Sequence, residues 1–325
     1  VITSTSSTIN TKPNPPLTHS PVGIETRPVL FSSISFGAFT NPYVRKLAAI
    51  SARAAARVPL LRRPLQGAYD RYFTRVTGPH VRLFSGIYPD FRAAMQAIPA
   101  TRLVGYDNVP SASRQSDDMF RIYAMDYPIL FWLDRLLADC RLLFDWGGNT
   151  GVSYFSFRRL LRYPHDFTWL VNDVPAVVRE GMRIMRLHAA PGLEFTTTLE
   201  GMCRADILLA AGVLHFIEDP FDLLRRQAAL PAHVLLNKVP VYSLPNAVTL
   251  QNMGTALLPN HLFNETDLVN QFIALGYRQI DAWETDLACH IPFHPQHSIR
   301  GYKGYYFARA DDSCCEYDPT TTIKV

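Results

Sequence analysis

Between Leu142 and Gly151 the chain runs Leu-Leu-Phe-Asp-Trp-Gly-Gly-Asn-Thr-Gly. An apolar run ends in a carboxylate, a glycine-rich turn follows, and then a segment that reads as a helix. This is a strand–turn–helix entry into an α/β sheet, and it constrains the fold more than any other stretch. Gly147 and Gly148 have no side chains, so the turn can take positive φ and a ligand can approach the backbone. The helix after Gly151 directs its free N–H groups at the same place. Asp145, at the carboxyl end of the strand, is an acceptor for an ammonium group. A dinucleotide site must hold a pyrophosphate there and has no use for that carboxylate. The pattern suits a ligand with a nucleoside at one end and a cation at the other.

The 325 residues suffice for one large domain with appendages, and 48% hydrophobic with 18% charged residues is a composition that buries a sizeable core. The net charge of +4 is unevenly placed, with nine Lys or Arg and a single acid, Asp70, between Arg45 and Arg82. Nucleic-acid binding would need those side chains on one face beside the active site; the expected partner is a small molecule, with no nucleic acid. Five cysteines form an odd set without metal-ligand spacing, which reads as the reduced thiols of a cytoplasmic protein. No apolar run approaches the length of a membrane span.

Residues 1–40 are rich in Ser, Thr and Pro and read as a disordered or extended tail. With the Arg-rich stretch behind it, this resembles an organelle-targeting composition, but a flexible tail before a basic helical region is the preferred reading. Tyr43–Val58 has the pattern of an amphipathic helix, Asp90 starts another, and Tyr127–Leu137 reads as a buried helix with Pro128 in its first turn. Residues 41–140 are therefore expected to form an N-terminal helical cap, a candidate surface for a homodimer. From residue 141 the pattern alternates: strands at 141–146, 167–172, 193–197, 206–211, 232–238, 277–284 and 302–308, and helices at 151–162, 175–188, 220–228 and 264–275. Such interleaving implies a doubly wound parallel sheet covered on both faces, over 141–310, with a tail at 311–325. The last two strands have no helix between them, which predicts an antiparallel C-terminal hairpin.

Ligands of such sheets bind outside the carboxyl ends of the strands. Besides Asp145, Gly147, Gly148, Asn149 and Gly151, the second strand ends in Asn172-Asp173-Val174-Pro175, where Asp173 lies 22 residues after Gly151. There a carboxylate can bridge ribose hydroxyls or cap the next helix, and the two roles are compatible. A third strand runs into Ala211-Gly212-Val213-Leu214-His215, whose small residues leave room for a ligand's cationic centre. Before it, Met202 is either a neighbour of an adenine or a core residue. His215 is either a general base or a lining residue. Residues 238–262 form a long insert expected to roof the substrate, with Tyr242, Asn252 and His261 as candidate contacts. His290 and His294 are further candidates; Pro292 and Pro295 break any helix that would align these histidines, so no metal is expected.

These motifs, from about Tyr88 to Arg309, resemble the class I S-adenosylmethionine-dependent methyltransferases. More narrowly they resemble a bacterial methyltransferase group with an Asp-x-Gly-Gly-x-x-Gly turn, a Val-Leu-His…Glu-Asp-Pro strand end, a Val-Thr-Leu-Gln-Asn segment (here Val248 to Asn252) and a Cys-x-Ile-Pro-Phe-His-Pro tail (here Cys289 to Pro295). The resemblance implies a Rossmann-like methyltransferase sheet and S-adenosyl-L-methionine as cofactor. It also implies methyl transfer to a small molecule, most simply to oxygen. His215 falls where small-molecule O-methyltransferases place a catalytic histidine, although the residues after it depart from their His-Asp-Trp pattern. The competing readings are an NAD-dependent oxidoreductase, which shares the glycine turn, and a non-catalytic binding module on the same fold.

Overall fold

The structure, a computed structural model, describes residues 59–78, 81–112 and 119–310. The expected tails at 1–40 and 311–325 and the amphipathic helix at Tyr43–Val58 lie outside the described residues. The described chain opens with α1 (Pro59–Arg75), β1 (Leu83–Tyr88), the short helices α2 (Phe91–Gln96) and α3 (Val109–Ala112), and α4 (Tyr127–Leu136). Strands and helices then alternate: β2 (Leu142–Trp146), α5 (Val152–Phe157), β3 (Thr168–Asn172), α6 (Pro175–Leu187), β4 (Leu193–Thr196), β5 (Ile207–Ala211), α7 (Pro220–Arg225) and β6 (His233–Val239). Next come β7 (Val241–Tyr242), β8 (Ala247–Asn252), β9 (Leu257–Asn264), α8 (Glu265–Ala274), β10 (Tyr277–Glu284) and β11 (Lys303–Arg309).

Seven strands form the main sheet in the order β4-β3-β2-β5-β6-β11-β10. β2 to β6 pair in parallel, and β11 runs antiparallel to both β6 and β10. Numbered from its first strand, the order is 3-2-1-4-5-7-6, the Rossmann-like sheet of class I methyltransferases with its antiparallel terminal hairpin. The strands are apolar on both sides because both faces are covered. Leu143, Trp169, Val171, Ile207, Leu209 and Leu235 share one core with Ile129 and Leu133 of α4, Tyr154 and Phe155 of α5 and Ile184 of α6. Their neighbours Phe144, Leu170, Leu208, Ala210, Val234 and Leu236 pack with Phe221 of α7 and Leu268 and Phe272 of α8. This is the period of two that a strand imposes.

Helix starts follow local chemistry. Asp90 accepts from Ala93 N (2.7 Å), Asp219 from Asp222 N (2.9 Å) and Asn264 from Asp267 N (3.0 Å), while Pro128, Pro175 and Pro220 occupy first turns.

The span 41–140 is not a purely helical cap: β1 lies within it. β1 pairs antiparallel with β8, β8 with β9, and β9 in parallel with β7, giving a second, four-stranded sheet. The insert at 238–262 is therefore mostly a hairpin that the N-terminal region completes as a sheet. No described helix is long and apolar enough to cross a membrane.

Candidate active site

The main sheet reverses its winding between β2 and β5, and the crevice at such a switch point is where ligands bind. Asp145 lies at the end of β2, 1% exposed. In the parallel register Leu143 faces Trp169 and Asp145 faces Val171, so Trp169 and Asp145 stand on the same side. The indole Nε1 donates to Asp145 Oδ2 (2.9 Å), and Oδ1 is buried without a partner among the described residues. Burial pushes the Asp145 carboxyl up to about 7, against the opposing pull of the Trp169 hydrogen bond.

The turn wraps this carboxylate. Gly147 has φ +68°, and a Cβ there would meet Val213 Cγ2 at 2.2 Å. At Gly148 a Cβ would lie 2.4 Å from Asp145 Cγ. Asn149 takes a left-handed φ of 57°, and its N–H donates to Asp173 Oδ2 (2.9 Å). Asp173 Oδ1 accepts from Val174 N (2.7 Å), so the second-strand carboxylate braces the glycine turn from β3. A carboxylate accepts about four hydrogen bonds, so Asp173 retains capacity for a ligand hydroxyl. Burial raises Asp173 to about 6. Asp107, unremarkable in sequence, caps α6 instead, accepting from Ala176 N at 2.8 Å. Its neighbour Tyr106 packs edge-on against Phe216 (5.8 Å), so the segment before α3 links the N-terminal side of α6 to the end of β5.

Beyond β5, Ala211 and Gly212 (φ +88°) lead to Val213, the residue in contact with Gly147, and to His215. His215 is 4% exposed with Nδ1 unpartnered. Its imidazole is pushed down to about 3 by burial, with the charges of Arg82 and His261 adding to the effect. Tyr302, directly before β11, has its ring 6.0 Å from that of His215 and a buried hydroxyl that faces the Arg82 guanidinium and the Cys289 thiol. Lys238, at the end of β6 with φ 60°, sends Nζ to Asp126 Oδ1 (3.1 Å) and adds positive charge near Asp145.

Asp145, Gly147, Gly148, Asn149, Gly151, Asp173, Val174, Ala211, Gly212 and His215 thus sit on adjoining strand ends and the turns that follow them. The remaining candidates lie in other settings. Met202 is wholly buried with Phe144, Leu170 and Leu208, so its side chain belongs to the core. Asn252 is also wholly buried, and its amide is spent on the backbone: Nδ2 donates to Phe73 O (2.5 Å) and Val76 O (3.0 Å), and Oδ1 accepts from Gly254 N (2.6 Å). It fastens α1 to β8 and has nothing left for a substrate. Tyr242 donates its hydroxyl to Pro245 O (2.6 Å) and holds its ring 5.9 Å from that of His297, tilted by 50°. His261 adjoins His215 electrostatically, with Nε2 held to Glu218 O (3.0 Å). His290 is exposed and His294 half-buried on the loop before β11, where the buried neighbours are Cys289, Ile291 and Phe293. Among the described residues no three His, Cys, Asp or Glu side chains form a metal-binding group. Trp169 is the contributor hardest to see in the sequence, because only the β2–β3 register brings it to Asp145.

No family model matches the chain, and no curated protein does. Solved structures resemble its fold. The 1,6-didemethyltoxoflavin-N1-methyltransferase of Burkholderia thailandensis, with 1,6-didemethyltoxoflavin and S-adenosylhomocysteine bound, is 16% identical, with a TM-score of 0.42 over 62% of this chain and 85% of that one. Magnesium protoporphyrin IX methyltransferase from Synechocystis PCC 6803, with S-adenosylhomocysteine bound, is 14% identical (TM-score 0.39, 57% and 81% covered). An S-adenosylmethionine-dependent methyltransferase from Mesorhizobium loti is 15% identical (TM-score 0.40, 57% and 98% covered). These are distant likenesses. It is the strand order and the antiparallel β11 that identify the sheet.

Proposed function

We propose that this chain binds S-adenosyl-L-methionine at the β2–β5 switch point and methylates a small-molecule acceptor, on oxygen. The observation that carries the reading is the Asp145 carboxylate, whose Oδ1 is buried and unpartnered beside a turn that admits no side chain at Gly147 or Gly148. A buried acceptor without a donor costs free energy unless a ligand completes it, and a ligand ammonium supplies both the donor and the charge. Asp173, still able to accept, suits the ribose hydroxyls. A nicotinamide dinucleotide fits less well, because its pyrophosphate would meet the Asp145 carboxylate.

When bound, the cofactor supplies a methyl group already activated on a sulfonium. The chain's own residues then have to exclude water and hold the acceptor in line. His215 follows the strand end that carries Ala211 and Gly212, and its neutral imidazole can accept a hydrogen bond from an acceptor hydroxyl. An imidazole depressed to about 3 is too weak a base to ionise a phenol beforehand. It need not do so: an oxygen that gains a methyl group becomes a strongly acidic cation, and Nδ1 can take its proton as the new bond forms.

Calorimetry with S-adenosylhomocysteine tests the reading. Wild-type protein should bind at pH 8, and Asp145→Ala should lose at least about tenfold in affinity, the worth of a charge-assisted hydrogen bond. Absence of heat from the wild type at high concentration would sink the proposal.

A further inference from the structure

Next to His215, whose ring lies 6.0 Å from that of Tyr302, Phe84, Leu262, Cys289, Ile291, Ile299 and Tyr302 close into a small buried cluster. Arg82, immediately before β1, sets its guanidinium over this cluster, 5.7 Å from the Tyr302 ring centroid and 6.0 Å from that of Phe84. Arg82 is exposed, and no carboxylate pairs with it among the described residues. The groups around it are neutral: the His215 imidazole, the Tyr302 hydroxyl, and the Cys289 thiol, which burial keeps protonated. One of them, His215 Nδ1, is buried and unpartnered, while the buried Tyr302 hydroxyl faces the Arg82 guanidinium and the Cys289 thiol. The unpaired imidazole nitrogen and the uncompensated cation thus share one place.

From these contacts we infer that Arg82 forms an anion subsite of the acceptor pocket, and that the acceptor is a flat molecule carrying a carboxylate. The guanidinium is a planar fork that matches a carboxylate with two hydrogen bonds. A planar body can stack on the outer face of the guanidinium, whose inner face lies on the buried Phe84 and Tyr302 rings, and His215 Nδ1 would accept the bond from the hydroxyl that reacts. The contacts run from Gly147 to Val213, along the chain to His215, then to Tyr302 and Arg82, so an acceptor held by Arg82 reaches back toward Asp145. The inference that this pocket serves an acceptor rests on the methyltransferase reading; the anion site itself does not.

The test uses the full chain and three acid–amide pairs: benzoate and benzamide, 4-hydroxybenzoate and 4-hydroxybenzamide, 2-naphthoate and 2-naphthamide. Binding is measured by calorimetry with and without S-adenosylhomocysteine. At least one carboxylate should bind about tenfold more tightly than its amide, as a charged hydrogen-bonded pair is worth. Arg82→Gln should abolish that preference, and Arg82→Lys should keep part of it. Thermal melts of both variants should match the wild type, since Arg82 is exposed. If no carboxylate outbinds its amide, or if the preference survives in Arg82→Gln, the subsite is refuted. A preference for carboxylates in a protein that ignores S-adenosylhomocysteine overturns the methyltransferase reading alone; cofactor binding without the preference overturns the subsite alone.

Discussion

The two oxygens of Asp145 have different tasks. Oδ2 is fixed by the Trp169 indole, and that bond sets the side-chain rotamer in which Oδ1 stays buried without a partner. Trp169→Phe removes the donor and keeps most of the bulk. The carboxylate then has no bond to hold it, and S-adenosylhomocysteine affinity should fall about tenfold, on the scale of one charge-assisted hydrogen bond. Unchanged affinity by calorimetry would mean that the indole only fills space. At His215 the prediction concerns charge. Burial depresses its imidazole to about 3, so the ring should stay neutral throughout the range in which an ordinary histidine titrates. The carbon-13 resonance of His215 should not move between pH 5 and 8, and a conventional titration assigned to it would contradict the buried, uncompensated setting described above.

At the scale of elements, the turn and the hairpin are separable. Gly148→Ala would put a methyl group 2.4 Å from Asp145 Cγ, so the carboxylate must shift and cofactor binding should be lost even though the sheet remains. Asn252→Ala should act the other way. It strands the carbonyl of Phe73, leaves Val76 O with Arg102 Nη1 (3.1 Å) as its donor, removes one tie between α1 and β8, and should cost about 2 kcal/mol of stability in urea unfolding, with cofactor affinity retained. The sequence made the main sheet readable because its strands are apolar runs bounded by glycine turns and proline-started helices. Asp145, Asp173 and His215 were readable because strand ends are where such sheets bind. β1 was not: Leu83–Tyr88 contains Gly86, lacks alternation, and its partner β8 lies more than 150 residues on. α1 was hidden by Pro64 and Gly67 within it. Asn252 looked like a pocket amide because a polar residue in an insert gives no sign of which backbone carbonyls it will meet. Met202 stayed open between a ligand neighbour and a core residue for the same reason: its place beneath the sheet is set by tertiary packing.

For the molecule as a whole, the site is a deliberate weakness in the core. Two carboxylates, Asp145 and Asp173, lie together at the end of a parallel sheet, and burial raises both above the usual range, to about 7 and about 6. The sign of the linkage follows. A carboxyl raised in the folded state binds its proton more tightly there than in the unfolded chain. Its contribution is fully present below the unfolded value near 3.8 and is lost as pH rises through the folded value. Other groups titrate in the same range, so the clean quantity is a difference. Asp145→Asn keeps an acceptor for Trp169 and cannot ionise. The ligand-free wild type should match this variant near pH 4, fall behind it progressively to pH 7, and then stay behind by a few kcal/mol, on the scale of a multi-unit shift. Urea unfolding of both proteins across that range measures the gap. S-Adenosylhomocysteine should narrow the gap at pH 8, because its ammonium stabilises the ionised wild-type carboxylate and ligand binding stabilises only the folded state. A stability gap that is flat with pH would mean that Asp145 is ionised in the ligand-free fold throughout, and that some group supplies beforehand the charge we assign to the cofactor.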